Sequence, residues 1–299
     1  MKLGNRKSVF LGAAILFLLF PDSAKAASIH AGPGSFIFSF AQGNQLKPIR
    51  VWTFGPPRIS QETKILFVMH GRERNAHGYL NPWMAPAHKA NALLLAPEFS
   101  EQVFPGRSYN VGELGFLAGQ GALVGRSTFE AIEMIFDHVV GMTGLKTRRY
   151  RIYGHSAGAQ FVHRLILLNP NARAEVAVAA NAGWYTMPDF QSEFPYGLKD
   201  SGVTPRALAQ ALRKKLIVLL GEKDNDPRHS SLNRQPGAMS EGVTRLERGQ
   251  NFYRRAEAEA HALGIRLAWQ LKTVAGVGHD HSAMSDEAAP LLFESLSEK

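Results

Sequence analysis

The chain has 299 residues, 45% of them hydrophobic and 20% charged, with 28 Gly and 16 Pro. That composition excludes a disordered chain, a collagen-like repeat and a coiled coil. The absence of Cys excludes disulfide frameworks, thiolate metal sites and cysteine nucleophiles, and the net charge of +9 raises anionic partners without requiring them.

Lys2, Arg6 and Lys7 precede an apolar run over 9–20, which Pro21, Asp22 and Ser23 end; Ala24-Lys25-Ala26 then offers a small-x-small cleavage pattern. This predicts a signal peptide over 1–26 and export to the periplasm or the medium. Twelve apolar residues are too few for a spanning helix, so no membrane anchor is expected after cleavage. Removing four cations and one anion with that segment leaves a charge of +6. The basic clusters Arg148-Arg149-Arg151 and Arg213-Lys214-Lys215 read as solvated turns, and no nucleic-acid partner is expected.

Two alternating, aromatic-rich runs, 35–40 and 50–54, predict antiparallel edge strands. The continuous apolar runs 64–69, 92–96, 176–179 and 216–220 predict strands buried on both faces, joined by short strands at 151–153 and 266–274. Helices are expected over 76–90, from about 127, from 157 to 168, and over 205–213, 244–263 and 285–297, while 98–122 and 184–204 read as loops. Strands alternating with helices from residue 64 onward predict an α/β fold: a mostly parallel central sheet with helices on both faces. No repeat or linker divides the chain, so 27–299 reads as a single domain.

Gly154-His155-Ser156-Ala157-Gly158 fits G-x-S-x-G between a strand and a helix. A serine there sits on a sharp strand-to-helix turn, and glycines two residues to either side let strand and helix backbones approach without β-carbon clashes. A serine hydroxyl needs a base, and the base needs an orienting carboxylate. The loop after the strand at 216–220 offers Glu222, Asp224 and Asp226; Asp224 is the first choice and Asp226, before Pro227, the second. The loop after the last strand carries Gly276, Gly278, His279 and His281; His279 is the expected base and His281 its competitor. The His-x-His spacing lacks an evident third ligand, so neither metal nor cofactor is expected. The oxyanion donors are expected to be the backbone N–H groups of Ala157 and Arg72, with Gly71 as alternative to Arg72. Trp184 and Tyr185, at the catalytic edge of the sheet, and His155, beside the serine, are candidate substrate-binding residues, whereas Tyr79 and Trp83 read as core.

These residues resemble the α/β-hydrolase superfamily across about 35–297: Ser156, Asp224 and His279 follow its order, and His70-Gly71 its oxyanion-loop signature. Within it the chain is most similar to secreted serine esterases of the polyhydroxybutyrate-depolymerase and feruloyl-esterase type. It departs from them in lacking Cys and in carrying Arg72 where a small or polar residue is frequent. The resemblance implies an α/β-hydrolase fold and a secreted serine hydrolase that cleaves a small or polymeric carboxylic ester through a Ser-His-Asp triad. Peptidase or amidase chemistry with the same triad, and a non-catalytic binding role on the same scaffold, are the alternatives.

Overall fold

The structure is a computed structural model that describes residues 29–113 and 127–294. The expected signal peptide, part of the loop expected over 98–122 and the end of the last expected helix lie outside those residues. Eight strands form one sheet in the order β1-β2-β4-β3-β5-β6-β7-β8. They are β1 (Gly32–Gln42), β2 (Gln45–Gly55), β3 (Lys64–Met69), β4 (Ala92–Glu98), β5 (Tyr150–His155), β6 (Ala174–Ala180), β7 (Leu216–Gly221) and β8 (Gln270–Val274). β1 pairs antiparallel with β2, and β2 antiparallel with β4; every later pairing, from β4–β3 to β7–β8, is parallel.

The continuous apolar runs are explained by two separate cores, one on each face of the sheet. Ile65, Phe67 and Met69 of β3 and Leu216, Val218 and Leu220 of β7 join the larger core. That core also takes the apolar faces of α4 (Glu130–Thr143), α5 (Ala157–Leu168), α6 (Pro205–Leu212) and α8 (Arg245–Ala262). The alternate residues, Leu66 and Val68 or Ile217 and Leu219, face a second core built with α1 (Ala76–Tyr79), α2 (Met84–Lys89) and α9 (His281–Phe293). Successive side chains of a strand point to opposite faces, so a strand covered on both sides must be apolar at every position.

Several boundaries differ from the sequence-based expectation. The helix expected over 76–90 is three short pieces: α1, a 3-10 turn at Asn81–Trp83, and α2. Pro82 lacks the amide hydrogen that would continue α1, and Asn75 Oδ1 already caps α1 by accepting from Gly78 N. The strand expected from 266 begins only at Gln270. Ala268 N donates to Leu212 O and Trp269 Nε1 to Ala211 O, so this stretch is docked on the end of α6 instead of pairing with β7. The last helix starts at His281, not 285, because Asp280 Oδ1 caps it by accepting from Ala283 N. Two short helices, α3 (Gly106–Val111) and α7 (Pro236–Glu241), fall in stretches without helical periodicity.

Candidate active site

β5 ends at His155, and α5 begins at Ala157. Ser156 between them has φ 57° and ψ −115°, a backbone conformation unusual for a residue with a side chain. Its amide donates to Ala180 O of β6 at 3.0 Å and its carbonyl accepts from Gln160 N at 3.1 Å, so the turn is fixed on both sides. A β-carbon on Gly154 would lie 2.2 Å from Gly158 O. The strand and helix therefore meet at a distance only glycine permits.

The ends of β7 and β8 are laced together next to this turn. Glu222 N donates to Val274 O, and Lys223 N to Val277 O. Asn181, just past β6, clamps both loops: its Oδ1 accepts from Gly221 N at 2.8 Å and its Nδ2 donates to Gly278 O at 2.9 Å. These contacts bring together residues 123 and 55 positions apart in the chain. His279 Nε2 lies 3.0 Å from Ser156 Oγ, and His279 Nδ1 lies 2.7 Å from Asp224 Oδ2. The other acidic candidates stand elsewhere. Asp226 is exposed, and its Oδ1 accepts from Arg228 N as a turn former does; Glu222 is also exposed. His281, the competing imidazole, stacks on the Tyr79 ring with centroids 3.6 Å apart, and burial pulls it down to about 4.

Asp224 is 5% exposed, and its second oxygen is occupied as well: Arg245 Nη1, at the start of α8, donates to Oδ1 at 3.0 Å. Arg245 is itself 3% exposed, and its Nη2 donates to Ser231 Oγ at 2.8 Å.

His70 explains the His-Gly pair after β3. It is fully buried, and burial pulls it down to about 3, so the ring is neutral. Its Nδ1 donates to Gly71 O at 2.9 Å, its Nε2 accepts from Phe99 N at 3.1 Å, and Tyr109 Oη donates to its carbonyl at 2.8 Å. The loop carrying Gly71 and Arg72 is thereby tied to the end of β4. A β-carbon on Gly71 would lie 2.3 Å from the Tyr79 hydroxyl, so that ring packs directly against the Gly71 backbone. Ala157 is the first residue of α5, where a backbone N–H has no partner within the helix.

A cleft of about 500 Å³ opens over Ser156. Gly71, Arg72, His155, Ala157, Trp184 and His279 line it, as their sequence positions suggested. His155 is held with its Nδ1 3.4 Å from the Tyr79 hydroxyl, and burial, followed by the nearby His279, drives it well below the ordinary histidine range. Tyr185 requires a correction. It is fully buried, stacked on Phe252 at 4.5 Å, and takes no part in the cleft wall, because the chain after β6 alternates and turns Trp184 and Tyr185 to opposite sides.

Tyr79 is the converse case: an expected core residue that lines the cleft. Sequence reasoning also missed Asn110, Gln160, Ser231, Asn233 and Arg245 in this wall. Only Gln160 carried a signal, since it stands one helical turn after the serine.

No family model matches the chain, and no curated protein matches it. Solved structures do. Poly(aspartic acid) hydrolase-1 from Sphingomonas sp. KT-1 is 43% identical with a TM-score of 0.84, over 89% of this chain and 100% of that one. A poly(3-hydroxybutyrate) depolymerase from Bordetella parapertussis is 32% identical with a TM-score of 0.81, over 89% and 91%. A fluorophosphonate-binding serine hydrolase from Staphylococcus aureus, 14% identical with a TM-score of 0.55 over 89% and 100%, shares the fold. The chain belongs to the α/β-hydrolase superfamily. Hydrolase is the activity class of these neighbours.

Proposed function

We propose that the protein is a serine hydrolase that cleaves carboxylic esters through an acyl-enzyme. The observation that carries this reading is the continuous hydrogen-bonded line from Ser156 Oγ through His279 to Asp224 Oδ2. Ser156 Oγ attacks the acyl carbon as its proton passes to His279 Nε2; Asp224 holds the ring by Nδ1–H and offsets the imidazolium charge. The tetrahedral oxyanion takes hydrogen bonds from the backbone N–H groups of Ala157 and Arg72, worth roughly 3 kcal/mol each in the transition state. The intermediate collapses as His279 gives its proton to the leaving alcohol oxygen. Water, deprotonated by the same imidazole, then releases the acid and restores Ser156. Trp184 and His155 form the walls against which the substrate lies. Residues 1–26 act as a signal peptide in this reading, and the enzyme meets its substrate outside the cytoplasm.

A second reading, hydrolysis of an amide, is favoured by one observation: the relative at 43% identity is described as a poly(aspartic acid) hydrolase, and that polymer is joined by amide bonds. The same groups serve, with His279 protonating the amine instead of an alcohol.

The test has two parts. A fluorophosphonate probe should label the wild type and not Ser156→Ala; equal labelling of both would overturn the assignment. A nitrophenyl ester series of increasing acyl length, with an aromatic ester included, is then set against poly(aspartic acid). Turnover of the esters alone supports the first reading, and release of new amino termini from the polymer supports the second.

A further inference from the structure

Asp224 is a carboxylate almost fully removed from water, and burying such a group is costly unless a cation or hydrogen-bond donors offset it. The cation is supplied by α8. Arg245, the first residue of that helix after its Thr244 cap, donates from Nη1 to Asp224 Oδ1 at 3.0 Å. The next residue, Leu246, donates its amide to the Asp224 carbonyl at 3.2 Å. Asp224 is therefore held to the helix start through both side chain and main chain. Its two carboxylate oxygens are divided, Oδ1 to the guanidinium and Oδ2 to the imidazole. With a guanidinium N–H fixing Oδ1, the lone pairs of Oδ2 are turned to His279.

We propose that Arg245 is a positioning residue for the reaction: it acts on turnover through Asp224, by pairing with that carboxylate and holding it oriented toward His279. The inference rests on the Ser156-His279-Asp224 reading given above. Through Nη2 the same side chain fastens Ser231, which lines the cleft, so the acid and one wall of the cleft share an anchor. Among the described residues, the charged and titratable groups in contact with His279 are Asp224, with Arg245 behind it, and the rings of His155 and His229 at 4.6 and 5.9 Å. Among them Arg245 alone meets the acid's other oxygen.

The experiment measures kcat and KM for Arg245→Met, Arg245→Gln and Arg245→Lys, each in the wild-type and in the Asp224→Asn background, with thermal melts alongside. Arg245→Met is expected to lower kcat on the order of 10- to 100-fold, the size of the coupling between members of one hydrogen-bonded network, and to change KM less than about threefold. Arg245→Lys, which keeps the charge, should recover most of that loss, and Arg245→Gln should not. In the Asp224→Asn background the Arg245 substitutions should lose their effect on kcat. The proposal is overturned if Arg245→Met keeps wild-type kcat, or if its loss is undiminished when Asp224 is already Asn. Should Arg245→Met fail to fold, the Lys and Gln variants decide between the same outcomes: equal kcat in those two overturns the proposal. Loss of fluorophosphonate labelling at Ser156 is scored separately, so failure of the serine-hydrolase reading cannot be mistaken for failure of this one.

Discussion

A β-carbon on Gly158 would lie 2.1 Å from the carbonyl oxygen of Met69, the last residue of β3. The second glycine of G-x-S-x-G is thus a spacer between α5 and a neighbouring strand, while the first, Gly154, is a spacer between α5 and its own strand. The obstructing atoms are backbone, which cannot rotate away. Gly158→Ala should therefore destabilise the fold by about 1–3 kcal/mol or more, the usual cost of overpacking. Gly141, in the last turn of α4 with open space around it, is the control. Gly141→Ala should stabilise by up to about 1 kcal/mol, from helix propensity alone. Urea melts of the two variants check both signs.

The turn at Ser156 stores strain of a kind that glycine would release. Its φ of 57° with ψ of −115° lies outside the regions that a side-chain-bearing residue prefers. Ser156→Gly and Ser156→Ala both delete the hydroxyl, so the hydrogen bond to His279 cancels in their comparison. Ser156→Gly should be the more stable of the two by about 1 kcal/mol, at the low end of the cost of such conformations. Both should lose turnover by roughly 10⁴-fold or more. Equal melting temperatures would show that the turn is unstrained.

Sequence alone made the site half legible, for physical reasons. Ser156 was readable because its turn needs glycines at fixed spacing, which is a local demand. Asp224 and His279 were readable because strand ends are marked by apolar runs and the loops after them by Gly221, Gly276 and Gly278. Arg245 was not: it stands 21 residues from Asp224 and meets it only because α8 starts under the β7 loop. Asn181, which ties the two loops together, looks like any polar residue after a strand. Tyr79 read as core, but its helix is a single short turn closed before Pro82, and its hydroxyl stands against Gly71 at the cleft. Tyr185 was misplaced because a side chain's direction after a strand end depends on the exact residue at which pairing stops, and that is the least legible feature of a sequence.

Asp224 and Asp226 are separated by one experiment. Asp224 reaches His279 at 2.7 Å, while Asp226 closes an exposed turn on Arg228. Asp224→Asn should lower kcat by roughly 10⁴-fold, as loss of the imidazole-orienting carboxylate does in serine hydrolases. Asp226→Asn should stay within about threefold of wild type, because Asn can accept the same turn hydrogen bond. Steady-state kinetics on one activated ester would settle the roles, and a large loss in Asp226→Asn would reverse them.

Trp184 and Tyr185 should part in the same way. The Trp184 ring lies 4.0 Å from the buried Arg164 guanidinium and 5.0 Å from the Tyr196 ring, and it lines the cleft. Trp184→Ala is expected to raise KM on longer acyl chains while leaving the melt little changed. Tyr185→Ala should cost about 3–5 kcal/mol of stability, as large aromatic truncations in a core do. Tyr185→Phe should be neutral or stabilising, because the buried hydroxyl has no hydrogen-bond partner among the described residues. Melts and KM values for the three variants check the division.

Stability should pass through a maximum near pH 6.5, set by buried groups outside the reacting line. Burial lowers His70 from its ordinary 6.5 to about 3 and His281 to about 4. Below pH 6.5 the unfolded chain takes up protons that the folded one refuses, so stability falls as pH drops, until each folded group also titrates. Glu241 works in the opposite sense. Burial raises it from 4.5 to about 8, against the pull of the Tyr185 amide and of Arg164 and Arg248. Between those values the folded chain keeps a proton that the unfolded one releases, so stability falls as pH rises from 4.5 to 8. Between 4.5 and 6.5 the buried histidines, with His155 and His163 adding to the same sense, outweigh Glu241; above 6.5 the histidines no longer act and Glu241 does. Glu241→Gln should therefore flatten the alkaline side of the profile, and His281→Gln should shallow the acid side. Each slope should change by about 1.4 kcal/mol per pH unit at most, the value of one proton. Urea melts from pH 4 to 8 measure both limbs, and an unchanged alkaline limb in Glu241→Gln would show that Glu241 is ionised in the native state.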